Sequence, residues 1–127
     1  MRINKVLMID DEPHIRRIGE LCLRDVGKWE VLLASGGAEG LELAVREQPD
    51  AILLDVMMPG IDGLMTLAEL RARPGTAQIP VVFMTANVLK HEVERYLSLG
   101  AAGVIGKPFD PMALSSDLAR IVERPRS

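Results

Sequence analysis

The 127-residue chain reads as one α/β domain, a five-fold alternation of strand and helix around a central parallel sheet with helices on both faces. Three observations predict this. Five short apolar runs recur at intervals of about one βαβ unit. Each run is continuous rather than alternating, as strands covered on both sides are. Between the runs, apolar residues return at helical spacing. At this length folding buries roughly two-thirds of the extended chain's surface, enough for a core without disulfides or structural metal.

The runs are Val6-Leu7-Met8-Ile9, Val31-Leu32-Leu33-Ala34, Ala51-Ile52-Leu53-Leu54, Val81-Val82-Phe83-Met84 and Val104-Ile105. After the first, Ile15, Ile18 and Cys22 share a helical face, and Pro13 suits a first helical position. Leu41, Ala44 and Val45 mark the second helix, and Leu64, Leu67 and Ala68 the third, with Asp62-Gly63 as its turn and cap. Val93, Tyr96 and Leu97 mark the fourth, and Leu114, Leu118, Ile121 and Val122 the fifth. Asp110-Pro111 is expected to cap that last helix, and Gly27 and Gly100 are expected to end the first and fourth. The domain spans residues 1–124, and 125–127 form a polar tail or the start of a linker. There is no internal repeat or low-complexity stretch.

Composition narrows the function. Hydrophobic residues make up 48% and aromatics only 3%, so the core is aliphatic. Fifteen basic residues among eighteen acidic ones, net charge -3, provide no stripe for duplex DNA or an anionic membrane. Cys22 is the only cysteine and has no internal partner for a disulfide. The longest uncharged run, Pro74 to Leu89, is interrupted by Gln78, Pro80 and Asn87 and cannot span a bilayer. The N-terminal apolar run stops at Asp10 and does not make a signal peptide. A cytoplasmic location is expected.

The chemistry gathers at the carboxyl ends of the runs, where open α/β sheets place their ligands. The first ends in Asp10-Asp11-Glu12, the third in Asp55, the fourth in Thr85-Ala86 and the fifth in Gly106-Lys107-Pro108. Two carboxylates about 4 Å apart repel by about 4 kcal/mol at an effective dielectric near 20, so such a cluster needs a cation. An oxygen-only acidic site suits Mg²⁺, with Mn²⁺ as a substitute. A carboxylate beside a metal and a lysine can attack a phosphoryl group and become an aspartyl phosphate.

These residues carry a resemblance. Val6-Leu7-Met8-Ile9-Asp10-Asp11-Glu12 opens it, and Leu53-Leu54-Asp55-Val56-Met57-Met58-Pro59-Gly60-Ile61-Asp62-Gly63 forms its middle. Met84-Thr85-Ala86, Gly100-Ala101-Ala102-Gly103 and Lys107-Pro108-Phe109 complete it. Each motif alone is weak. Five in order, each after an expected strand, resemble the receiver domain of bacterial two-component response regulators over essentially the whole chain.

The resemblance implies a doubly wound, flavodoxin-like three-layer sandwich with strand order 2-1-3-4-5. It also implies that Asp55 accepts a phosphoryl group from a sensor histidine kinase or phosphotransfer protein. Asp11, Asp55 and the Met57 backbone carbonyl would hold Mg²⁺, assisted by Asp10 through water. Lys107 would pair with Asp55 and then with the phosphoryl oxygens. Thr85 would move to bond the phosphate, with the Ala86 amide beside it, and the Lys107–Pro108 bond would be cis. The output would be a protein surface acting on an unknown downstream target, from a monomer or a weak phosphorylation-dependent dimer, with no direct nucleic-acid or membrane contact. The chain would be a switch rather than a metabolic enzyme. It could be a stand-alone regulator, a relay, or the receiver of a longer protein.

Plainer readings exist for single residues. Asp10 and Asp11 could be a solvated helix start, Lys107 a surface lysine and Thr85 an ordinary strand residue. His14 and His91 read as exposed helix residues, Cys22 as core, and Met57-Met58 as a packing pair in a loop. Trp29 lies away from the cluster. A flavin site of the same sheet type needs a phosphate-cradling loop after the first strand, and here that loop is acidic. A phosphatase with an aspartyl-phosphate intermediate usually has a second acid two residues after the nucleophile, and position 57 is Met. The remaining alternative is a phosphorylation-independent interaction module on the same fold.

Two departures from the family pattern carry expectations. Many receivers have an aromatic residue on the fifth strand that turns inward when the threonine moves, and Val104 stands there. Only a small rotamer change is expected of Val104 on activation. Residues 57 and 87 would flank the water that hydrolyses the aspartyl phosphate. Met57 cannot hydrogen-bond it well whereas Asn87 can, so a longer-lived phosphoryl group is expected than with a polar residue at 57.

Overall fold

The computed structural model describes residues 2–123. Five strands alternate with five helices: β1 (Lys5–Ile9), α1 (Pro13–Leu21), β2 (Glu30–Ala34), α2 (Gly37–Glu47), β3 (Ala51–Asp55), α3 (Gly63–Ala72), β4 (Val81–Thr85), α4 (Lys90–Ser98), β5 (Gly103–Gly106) and α5 (Leu114–Val122). The sheet is parallel, in the order β2-β1-β3-β4-β5. All five apolar runs are strands, each longer than its run by one or two residues. The position of 124 and of the tail 125–127 lies outside the described residues.

Side-chain alternation along the strands divides the core into two layers. Leu7, Ile9, Ile52, Leu54 and Phe83 face one way, onto Leu41, Ala44, Leu67, Leu70 and Tyr96 of α2, α3 and α4. Val6, Met8, Leu53, Val82 and Met84 face the other, onto Cys22, Leu23, Leu114 and Leu118. The three inner strands are buried almost throughout, while the edge strands β2 and β5 are only partly covered. Burial on both faces accounts for the uninterrupted apolar runs of β1, β3 and β4.

Helix details depart from the sequence expectation in four places. First, α1 widens into a π-helical turn over Cys22–Val26 before it ends at Gly27 as expected, and the widening brings Cys22 and Leu23 into the core. Gly27 keeps an ordinary helical φ of -75°, and Lys28 takes the left-handed conformation at φ 64°. Glycine is still required at 27, because a Cβ there would lie 2.6 Å from the Leu23 carbonyl oxygen.

Second, Asp110 caps a turn rather than α5: its carboxylate accepts from the Met112 amide at 2.9 Å, and the helix begins only at Leu114. Third, Ile18, Val45, Ala68 and Leu97 are exposed, so the buried stripes are narrower than their spacing indicated. Fourth, Met57 is 77% exposed while Met58 is buried, so the two do not pack as a pair.

Other expectations hold. Pro13 opens α1, Asp62 caps α3 by accepting from the Met65 amide at 2.9 Å, and Cys22 is buried. His14 and His91 are exposed, and Gly100 follows α4 with φ +110°. Gly100 is also tied to α3, because the Arg71 guanidinium donates to the carbonyls of Ala77, Ile79 and Gly100 at 2.9–3.1 Å. That clamp fixes the lower ends of β4 and β5, which carry Thr85 and Lys107 at their other ends.

A carboxylate site at the sheet edge

Four loops converge at the carboxyl edge because β1, β3, β4 and β5 are parallel neighbours in register: Ile9 pairs with Leu54, Asp55 with Met84, and Thr85 with Gly106. Asp10 is completely buried and Asp55 is 4% exposed. Asp10, Asp11 and Asp55 each present an oxygen, and these oxygens lie within 4.8 Å of one another. Asp11 is the most open of the three.

One ammonium pairs with two of these carboxylates. Lys107 Nζ donates to Asp10 Oδ2 at 2.9 Å and lies 3.3 Å from Asp55 Oδ2. The shorter contact is thus with Asp10, whereas the sequence reading paired this lysine with Asp55. Backbone amides take up the other oxygens: Glu12 N donates to Asp10 Oδ1 at 2.9 Å and Met57 N to Asp55 Oδ1 at 3.2 Å. The Asp10 carbonyl accepts from Arg16 at 2.7 Å, so α1 also anchors this loop.

The electrostatics follow. Burial, then the charge of Asp10, push the Asp55 carboxyl up to about 6, against the opposing pull of Lys107 and the Met57 amide. For Lys107 burial would lower the ammonium, but its bonds and proximity to Asp10 and then Asp55 hold it above its ordinary value. The lysine stays charged, and Asp55 is under-compensated.

Thr85 ends β4, buried, with Oγ1 accepting from Asn87 N at 3.0 Å. Ala86 follows it, exposed. Lys107 is held beside it by its own amide, which donates to the Thr85 carbonyl at 2.8 Å, and the Lys107–Pro108 bond is cis. Asp10, Asp11, Asp55, Met57, Thr85, Ala86 and Lys107, the residues expected to form the site, therefore lie at one edge of the sheet, and Trp29 packs against the layer that holds Cys22 and Leu23.

Gly63 fits against the strand that carries Asp55. A Cβ there would lie 2.4 Å from the Asp55 carbonyl oxygen and 2.7 Å from Val56 Cα, both backbone atoms that cannot swing aside. Gly63→Ala is expected to cost about 2 kcal/mol in chemical unfolding, the usual scale of overpacking, and to displace Asp55. An unchanged unfolding midpoint would show that the β3–α3 junction is softer than this contact implies.

The family of response regulator receiver domains matches residues 6–119, nearly the whole sheet and its helices. The chain belongs to this family. As a receiver it has many curated relatives, among them the probable transcriptional regulator ycf27 of Porphyridium aerugineum, 37% identical over 98% of this chain and 50% of the relative. Response regulator Rre1 of Synechocystis is 31% identical over 94% of this chain and 52% of its own length. The receiver thus spans about half the length of the curated relatives it matches.

Among solved structures, the chemotaxis protein CheY4 of Vibrio cholerae superposes with a TM-score of 0.86 at 31% identity, covering 94% of this chain and 99% of its own. The receiver domain of a sensor histidine kinase from Pseudomonas aeruginosa, with magnesium coordinated in its active-site cleft, gives 0.84 at 30%, covering 97% and 100%. The receiver is therefore a signalling domain of two-component systems. No helix among the described residues is long and apolar enough to cross a membrane.

Tyr96 is a residue that sequence reasoning placed only on a helix face. It is 4% exposed and lies against the same opening as Thr85, a cleft of about 410 Å³ that Met57 and Ala86 also line. The available signal was that it is the only tyrosine in the chain.

Proposed function

We propose that this receiver is the phosphoacceptor of a two-component or phosphorelay pathway, with Asp55 as the residue phosphorylated. The observation that carries the reading is the under-compensated pair Asp10–Asp55 bridged by a single lysine. A carboxylate oxygen of Asp55 forms a bond to phosphorus as the N–P bond of a donor phosphohistidine breaks, and the released imidazole keeps the nitrogen lone pair. The donor is a sensor histidine kinase or a phosphotransfer protein.

Lys107, already 3.3 Å from Asp55, stays charged and moves to the phosphoryl oxygens as negative charge accumulates there. The Thr85 hydroxyl and the Ala86 amide supply neutral donors on the same side. The donor set of the cluster is all oxygen and net negative, which fits Mg²⁺ or Mn²⁺. Asp11, Asp55 and the Met57 carbonyl would hold the ion and Asp10 would support it through water. When bound, it supplies neutralising charge for the transferring phosphoryl group.

Exposed Met57 leaves one side of the hydrolytic approach without a hydrogen-bonding group. Met57→Asn is therefore expected to shorten the phosphoryl lifetime severalfold in single-turnover dephosphorylation, and an unchanged rate would contradict this. The downstream target is a protein that reads the altered surface, in a cytoplasmic setting where the buried thiol of Cys22 stays reduced. Calorimetric titration with beryllium fluoride, a mimic of the acyl phosphate, tests the site. Saturable binding that needs Mg²⁺ and vanishes in Asp55→Asn is expected. Binding without Mg²⁺, or equal binding by the variant, would refute the assignment.

A further inference from the structure

Val104 is a partly buried residue packed against the layer that contains Phe83 and Tyr96. The aromatic ring in this region comes from the neighbouring helix. Tyr96 is buried on α4, with its ring centroid 5.2 Å from that of Phe83 and the planes tilted by 59°. Phe83 lies two residues before Thr85 on β4, so the ring stands against the strand that delivers the threonine.

Two connections join Thr85 to α4. Its Oγ1 accepts from Asn87 N at 3.0 Å, in the loop that leads into the helix. On the other side, Thr85, Glu92 and Tyr96 line one cleft. The Tyr96 hydroxyl donates to Glu92 Oε2 at 3.2 Å, one turn earlier on the same helix. Burial and then Glu92 push the phenol up, while the Thr85 hydroxyl and Arg95 oppose them.

The two connections respond differently when Thr85 turns toward Asp55. Asn87 is at the surface, and its amide can exchange the lost acceptor for water. Tyr96 is buried, and once Thr85 turns away its hydroxyl keeps only Glu92, on its own helix, so ring and helix resettle together about that bond. We propose that Tyr96 is the positioning residue through which Thr85 acts on α4, so that the aromatic half of the switch is carried by the helix rather than by β5. This rests on the reading of Asp55 as the phosphoacceptor.

Because Tyr96 is the only tyrosine, biosynthetic 3-fluorotyrosine gives one ¹⁹F resonance without any mutation. The labelled protein is treated with phosphoramidate and Mg²⁺ while intact mass reports the adduct. The resonance is expected to shift in proportion to the adduct, and in Val104→Ala as in the wild type. At equal adduct it is expected to stay at its resting position in Thr85→Ala. Tyr96→Phe keeps the ring and removes the hydroxyl. It is expected to reduce the phosphorylation-dependent change in amide exchange over Lys90–Ser98 by at least about fivefold.

An adduct with no shift, an equal shift in Thr85→Ala, or a full α4 response in Tyr96→Phe would overturn the proposal. Absence of any adduct would instead overturn the phosphoacceptor reading, and the inference with it.

Discussion

Lys107→Ala is expected to destabilise the resting receiver by about 2 kcal/mol at neutral pH. Removing one partner of a buried ion pair costs about 3–5 kcal/mol. The lysine side chain is 20% exposed, so solvent screening reduces that figure, but its partner Asp10 is fully buried and, among the described residues, its carboxylate pairs with no other cation. The variant also leaves Asp10 and Asp55 facing each other uncompensated. The loss is therefore expected to shrink below about pH 6, where Asp55 takes up a proton, and to shrink when millimolar Mg²⁺ replaces the missing charge. Urea unfolding at pH 5 and pH 7.5, with and without Mg²⁺, measures all three. A cost that is independent of both pH and Mg²⁺ would assign Lys107 a packing role instead.

Asp55→Asn is expected to do the opposite in the absence of metal. The folded carboxyl sits at about 6 against an ordinary 3.8, so the folded state binds the proton more tightly than the unfolded chain. Stability contributed by that proton is fully present below about 4 and is lost as pH rises through about 6. Above that window the wild type carries the whole penalty and the asparagine variant carries none. A gain of about 2 kcal/mol at pH 7.5, falling toward zero near pH 4, is the expected result. With saturating Mg²⁺ the order should narrow or reverse, because only the wild type retains the ligand. Equal stabilities across this range would show that the cluster is not strained by like charge.

The fold was legible because β1, β3 and β4 are buried on both faces, which forces uninterrupted apolar runs onto them. The site was legible for a related reason. In a parallel sheet every strand ends at the same edge, so Asp10, Asp55, Thr85 and Lys107 could be brought together from strand ends alone. Sequence spacing does not encode finer packing choices. The widening of α1 at Cys22–Val26 places Leu23 in one core layer with Leu114 and Leu118 of α5, far along the chain from it. The start of α5 at Leu114 was obscured by Asp110, whose carboxylate serves a turn equally well. The preference of Lys107 for Asp10 is a matter of tenths of an ångström. Tyr96 was hidden because an apolar helical stripe and a switch residue share the same spacing.

The most direct measurement is intact mass after incubation with acetyl phosphate, with and without Mg²⁺, for the wild type and Asp55→Asn. The account predicts one added phosphoryl group in the wild type, dependent on Mg²⁺, released by hydroxylamine and absent from the variant. A folded wild-type protein that binds Mg²⁺ yet gains no phosphoryl group, or gains it elsewhere than Asp55, would contradict it.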